Sequence, residues 1–297
     1  MVGACVATVP TMYLTMPDAP YGVEVVSPVL YGQVPGQPVW RGGLYLDLFL
    51  PTPGPRKRAP AVVYLHHGGW RSGDRSYGMY PWHGPILAAN GFVVGSVSYR
   101  FSSVAPFPAQ LHDVKAAVRW LRANAAAYGI DSDRIGAWGD SSGGHLAGLL
   151  GTTADRADLE GDCGSPDWSS KVQAVVARCA PTDLRGLPQD QADVLDALFG
   201  GAPSATAELR ELASPVVHVS SQSAPFLIVH GTQDETVPIE QAQVMADRLV
   251  EHGVDVTLHT IEGVYHNLRA DIDPPWGSEP WTELGRLALD YFQRTLS

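Results

Sequence analysis

Cysteine, clustered basic residues and long apolar runs are all scarce in this chain, and each scarcity excludes a class of protein. Only three cysteines occur in 297 residues: Cys5, Cys163 and Cys179. Their odd number and wide spacing exclude a disulfide framework or a zinc site, leaving only the pairing of Cys163 with Cys179 open. No apolar stretch is long enough to span a bilayer. The segment Met1–Thr8 has neither a basic start nor an apolar core of the signal-peptide kind. A cytoplasmic location without a membrane span is expected, with secretion left open. The formal charge is −11, and Arg56-Lys57-Arg58 is the one basic cluster. Lying between prolines, it reads as a solvated loop, so no nucleic-acid partner is expected. Internal repeats and low-complexity linkers are absent too.

What the chain does have is a regular alternation of short β-rich runs and longer helical patterns. Strands are expected at Val23–Val29, Leu44–Leu50, Ala61–His66, Phe92–Tyr99, Ile135–Gly139, Val172–Cys179, Phe226–His230 and Val256–Ile261. Several are apolar throughout, as central strands of a sheet covered on both faces must be. Helices are expected at Pro108–Tyr128, Pro238–His252 and Trp281–Leu296. In the first, Leu111, Val114, Val118, Leu121 and Ala125 share one face, and Gly129 suits the stop. The fold class is therefore α/β: a mostly parallel, eight-stranded sheet with helices on both faces. The first two strands follow one another without a helix, so that edge should be antiparallel. A single domain is expected over 1–297, with an N-terminal extension over 1–40. Residues 185–222, with a helical run at Ala192–Phe199, break the rhythm and read as an insertion in the place of a lid.

The chemistry gathers around Gly139-Asp140-Ser141-Ser142-Gly143. An apolar run precedes it and a helical run, Gly144–Leu150, follows. A serine on a tight strand-to-helix turn is held exposed, and the helix start behind it offers free N–H groups to a developing oxyanion. The pentapeptide alone is weak and needs partners. A serine nucleophile needs a base, an acid that orients the base, and oxyanion donors. Asp234 ends the apolar run Phe226–His230 plus a short loop, where ligand-facing residues of open sheets collect. Asp183, at the end of the preceding strand, is the rival acid. His266 follows the last strand and completes the order Ser…Asp…His. His145, one helical turn after Ser141, reads as part of the site's floor rather than as the base, and His230 as structural. Val62–Trp70 runs from a strand into a loop whose small residues let backbone N–H groups reach an oxyanion. The donors are assigned to Gly69 and Trp70, with Gly68 competing with Gly69, and to Ser142.

With these pieces in place, the chain resembles the α/β-hydrolases over residues 40–297. The likeness is greatest to the esterase/lipase branch that holds hormone-sensitive-lipase-like and bacterial feruloyl-esterase-like carboxylesterases. It is carried by Pro106–Arg122, by Asp133-Arg134-Ile135 and by Gly139-Asp140-Ser141. The resemblance implies a Ser141–Asp234–His266 triad and hydrolysis of carboxylic esters with no cofactor and no metal. Trp70 stands where the hormone-sensitive-lipase-like pattern has a third glycine, which favours the feruloyl-esterase-like side. Ser142 replaces a common alanine, and Asn267 a frequent glycine. The expected substrate is a small ester with a short acyl or an aryl group. Trp70, Trp82, His83, Leu198, Phe199 and Trp276 are the candidate binding residues, with Leu195 and Trp281 as further rim candidates. A monomer or homodimer is expected. A non-hydrolytic lyase or cyclase and a ligand-binding protein on the same scaffold are the competing readings.

Overall fold

The computed structural model describes residues 12–14, 19–76, 83–185, 187, 192–201, 206–266 and 281–297. All eight expected strands form, each end within five residues of its expected place, and a three-residue strand joins them at one edge. In chain order they are β1 (Met12–Leu14), β2 (Gly22–Gln33), β3 (Gly43–Thr52), β4 (Ala59–Leu65), β5 (Val93–Val97), β6 (Ile130–Asp140), β7 (Ala174–Arg178), β8 (Phe226–Gly231) and β9 (Val256–Ile261). They make one sheet of order β1-β2-β3-β5-β4-β6-β7-β8-β9. The β1–β2, β2–β3 and β3–β5 pairs are antiparallel; every pair from β5 to β9 is parallel. The antiparallel edge is thus as expected, although one helical turn, α1 (Val39–Gly42), lies between β2 and β3.

Two apolar layers sandwich the parallel strands, because successive side chains of a strand point to opposite faces. On β4, Ala61, Val63 and Leu65 enter one layer, and Val62 and Tyr64 the other. The first layer is covered by α3 (Ala109–Ala123), α5 (Ser142–Thr152) and α8 (Glu240–Glu251); the second by α2 (Gly84–Ala89) and α9 (Trp281–Thr295). The helix expected over Pro108–Tyr128 is divided. It ends at Ala123, where the Asn124 side chain donates to the Trp120 carbonyl, and a single turn, α4 (Ala125–Tyr128), runs to Gly129 in the left-handed conformation. Between β7 and β8, the described part of the 185–222 segment carries α6 (Ala192–Leu198), α7 (Ala207–Leu212) and a 3₁₀ turn at Pro215–His218.

The strand order reverses direction between β4 and β6. The chain leaves β4 for β5 on one side and returns to β6 on the other, with Leu65 opposite Gly139. Ligand sites of open α/β sheets lie beyond the carboxyl ends of the strands at such a switch point. The loop after β4 and the turn after β6 are brought side by side there.

Beneath that end of the sheet, α3 is buried on almost every side, including Lys115 and Arg119. Both cations reach Glu160: Lys115 Nζ to Oε1 at 2.6 Å and Arg119 Nη1 to Oε2 at 3.0 Å. They also donate to the carbonyls of Thr153, Glu160 and Cys163. This staple pins the loop after α5 to α3. Removing one member of a buried pair strands the others without a counter-charge. Glu160→Ala should therefore lower unfolding free energy by about 2–3 kcal/mol in urea titration, whereas the exposed Arg248–Glu251 pair should contribute little when broken.

Candidate active site

Ser141 sits at φ 53° and ψ −120°, a conformation L-residues rarely adopt. Its neighbours leave no alternative. A Cβ on Gly143 would stand 2.0 Å from the Leu65 carbonyl oxygen, and one on Gly139 would stand 2.1 Å from the Gly143 oxygen. Only side-chain-free residues allow α5 to begin this close to β4 and β6. The Ser141 N–H donates to the Arg178 carbonyl at 2.8 Å, tying the turn to β7. Below it, the buried Asp140 carboxylate accepts from Tyr64 Oη at 2.8 Å and faces Arg178 Nε at 3.3 Å.

Asp234 and His266 come from loops after β8 and β9. Gly231 lets them meet, because a Cβ there would lie 2.1 Å from the Val264 oxygen. The Gln233 N–H donates to the Val264 carbonyl, and the Gly263 N–H to Thr232 Oγ1. His266 Nε2 then lies 2.9 Å from Ser141 Oγ, and its Nδ1 lies 2.9 and 2.8 Å from the two Asp234 oxygens. Asp234 also accepts from the N–H groups of Thr236 and Val237, and His230 Nε2 approaches it at 3.3 Å. Burial would push this carboxyl up. Hydrogen bonds from His230 and His266, and the field of His266, outweigh burial and hold it well below the ordinary carboxylate range. An acid that stays ionised fixes Nδ1–H toward itself and leaves Nε2 to accept the Ser141 proton.

The rival acid is elsewhere. Asp183 pairs with Arg185 at 2.8 Å on the far side of the loop after β7. Cys179 Sγ, an Asp234 oxygen and a His266 nitrogen lie within 4.8 Å of one another, a spacing that metal ligands share. Both Asp234 oxygens are already taken by His266 and backbone N–H groups, and a cation there would have to break those bonds. Cys163 and Cys179 are both buried thiols and do not pair with each other.

Opposite Ser141, the loop after β4 turns through Gly68, Gly69 and Trp70, all at positive φ. Among the described residues, none accepts from the backbone N–H of Gly69, Trp70 or Ser142. All three line a cavity of about 310 Å³ together with Ser141 and His266. Unpaired donors converging beside a serine oxygen suit a tetrahedral oxyanion.

Residues 46–249 match the family model described as BD-FAE. The chain belongs to the BD-FAE family. Esterase LipC of Mycobacterium tuberculosis is 34% identical over 231 residues, 74% of this chain and 54% of that protein. The probable carboxylic ester hydrolase LipM of the same organism is 32% identical over 64% of this chain and 45% of its own length. The chain thus spans about half the length of these curated relatives. Among solved structures, a truncated carbohydrate esterase from gut microbiota superposes with a TM-score of 0.76 at 26% identity, covering 91% of this chain and 96% of that one. Thermogutta terrifontis esterase 2 phosphonylated by cyclosarin does so with a TM-score of 0.74 at 26% identity, covering 94% and 95%. The fold of this BD-FAE chain is that of the α/β-hydrolase esterases, as the resemblance implied.

The expected binding residues fare unevenly in this BD-FAE chain. Trp70 does line the cavity. His83 does not: it is buried beneath the sheet, its ring 4.6 Å from that of Trp138 and its Nε2 3.3 Å from Arg178 Nη1. Leu195, Leu198 and Phe199 also point away, into the core. Phe199 packs on Phe107, and the Phe107 N–H donates to the Leu198 carbonyl. The helical period puts Val194, not these three, over the cavity. Trp82 and Trp276 lie outside the described residues, as does the Trp281 side chain. Val194, Arg71, Ser72, Pro181, Thr236 and Val237 line the cavity without having been expected there; Arg71 and Ser72 follow Trp70 and Thr236 and Val237 follow Asp234, while Val194 and Pro181 carry no such signal.

His145 is in the floor, as expected, and joins three elements there. Trp70 Nε1–H donates to its Nδ1 at 3.2 Å, and its Nε2–H donates to the Ala213 carbonyl at 2.6 Å. The indole and imidazole rings meet edge-on at 5.1 Å. The neutral ring satisfies both bonds. Burial lowers its pKa to about 4, against a smaller opposing effect of the Ala213 bond. The folded value lies below the unfolded one, near 6.5, so the unfolded chain takes up the extra proton between these limits. The stabilisation is complete above about pH 6.5 and is lost as pH falls toward 4. Glutamine can make both bonds without titrating. Between pH 7 and pH 4.5, His145→Gln should lose about 2 kcal/mol less unfolding free energy than the wild type. His145→Leu, which leaves Trp70 Nε1–H and the Ala213 carbonyl unpaired, should be destabilised at both pH values.

Proposed function

We propose that this chain is a serine carboxylesterase, with Ser141 as nucleophile, His266 as general base and Asp234 as the acid that orients it. The observation that carries this reading is the unbroken hydrogen-bonded line from Ser141 Oγ through His266 to the Asp234 carboxylate. His266 takes the Ser141 proton as Oγ attacks the ester carbonyl, and the imidazolium is stabilised by Asp234. The N–H groups of Gly69, Trp70 and Ser142 hold the oxyanion. His266 returns its proton to the leaving alcohol, and a water, deprotonated by the same ring, releases the acid from the acyl-enzyme.

The cavity of about 310 Å³ lies at the small end of ligand sites and supports a short acyl or aryl ester as substrate. The 185–222 segment supports a cap role, since Val194 of α6 faces the cavity and Ala213 is bonded to its floor. Cys163 and Cys179, both buried and outside any disulfide, accord with action in a reducing compartment. No helix among the described residues is long and apolar enough to cross a membrane.

A fluorophosphonate ester should label the wild type at Ser141, identified by mass spectrometry of the modified peptide. Ser141→Ala should escape labelling and lose turnover of 4-nitrophenyl acetate by at least about 10⁴-fold. Asp234→Asn should keep the fold, take the label slowly and lose about 10⁴ in kcat, because the amide no longer selects the productive tautomer. Ester turnover by Ser141→Ala near the wild-type rate would overturn the reading.

A further inference from the structure

Arg71 is the residue in the cavity wall that the esterase chemistry leaves without a task. It follows Trp70 directly, is exposed, and lines the same cavity as Ser141 and His266. Its Nε lies 3.9 Å from where a Cβ on Gly69 would stand, so the guanidinium is folded back over the oxyanion loop. Among the described residues its side chain has no hydrogen-bond or ion-pair partner. Nine other arginines, Arg75, Arg100, Arg119, Arg134, Arg156, Arg178, Arg185, Arg210 and Arg248, are paired with acids. No described residue lining the cavity is acidic, although the chain as a whole carries a charge of −11. An anionic ligand is repelled by most of such a surface. At the mouth of this cavity it meets a forked donor with no acid among the described residues beside it.

We infer that the cavity takes esters bearing a carboxylate, and that Arg71 binds that group while the ester carbonyl lies at Ser141. The inference rests on the serine-esterase reading for the position of the carbonyl. The guanidinium offers a bidentate match to a carboxylate, and the cavity wall shields the pair more than open solvent would. Its partner is fixed in charge and not in side: the carboxylate belongs either to the acyl part or to the alcohol part.

Two pairs of esters of similar shape separate these cases. Ethyl hydrogen succinate against ethyl 4-methylpentanoate puts the charge on the acyl part, and acetoxyacetate against isobutyl acetate puts it on the alcohol part. The reading is the ratio of kcat/KM for the charged ester to that for the neutral one, at pH 7.5 and low ionic strength. In one pair, Arg71→Gln should lower this ratio about 3- to 10-fold, through KM of the charged ester, and Arg71→Lys should restore part of it. Adding 0.5 M NaCl should lower the ratio in the wild type and not in Arg71→Gln. Equal ratios in wild type and Arg71→Gln for both pairs would overturn the inference. Binding of the two charged esters to Ser141→Ala, with and without Arg71→Gln, reads the same contact without turnover. A wild type that hydrolyses none of the four esters, yet whose Ser141→Ala form binds a charged one through Arg71, would overturn the esterase reading and keep this one. Binding unaffected by Arg71→Gln would overturn this one.

Discussion

The close approach of α5 to the carboxyl ends of β4 and β6 is the constraint on which the rest of the site depends. Two glycines, Gly139 and Gly143, permit it, and any side chain at either would collide with backbone within about 2 Å. The same contact forces Ser141 to positive φ, a strain of the order of 1–3 kcal/mol that the surrounding sheet must offset. In exchange the hydroxyl is presented clear of the strand, and the Ser142 N–H is left unpaired at the start of the helix. The exposed hydroxyl and the unpaired N–H are thus two results of one packing event. The loop after β4 can supply the other donors because Leu65 pairs with Gly139 in the sheet.

Much of this was legible along the chain because the signals are local. Eight strands were read from short apolar runs, and the elbow from Gly139-Asp140-Ser141-Ser142-Gly143, since both rest on neighbours a few residues apart. Asp234 and His266 were readable because chain order and strand ends are one-dimensional facts with a three-dimensional consequence. The binding wall was not. His83 is aromatic, and Leu198 and Phe199 are apolar residues of the inserted segment, but such character serves the core as readily as a pocket, and here the core took them. Val194 faces the cavity because of the phase of α6, which depends on how the inserted segment docks. The break at Asn124 was hidden for a related reason: the apolar period runs through it, while a side-chain bond to the Trp120 carbonyl ends the helix.

The floor beneath Ser141 binds the site into one unit. His145 is fixed to α5 by its backbone, to the oxyanion loop through Trp70 and to the inserted segment through Ala213. A displacement of the insertion is therefore transmitted to the Trp70 backbone, which carries one of the unpaired N–H groups. The aromatic at position 70, which departs from a glycine-only loop, makes this link: it provides the indole N–H that glycine lacks. It also sits at φ 57°, so the connection is obtained against a backbone preference.

The charges around the cavity follow from the same arrangement. The ionised Asp234 is enclosed by donors: the Thr236 and Val237 N–H groups, His230 and His266. Asp140, the other carboxylate below the turn, is taken up by Tyr64 and Arg178. Neither turns a negative charge toward Ser141 Oγ, and the described cavity wall holds none. On the proposed serine-esterase reading, the negative charge driven onto an ester oxygen meets three N–H dipoles, and the positive charge formed on His266 meets Asp234. Both new charges are stabilised by groups already in position, so little reorganisation is needed at the moment of reaction. On that reading, a chain with eleven excess negative charges places none of them in the described wall where the oxyanion forms.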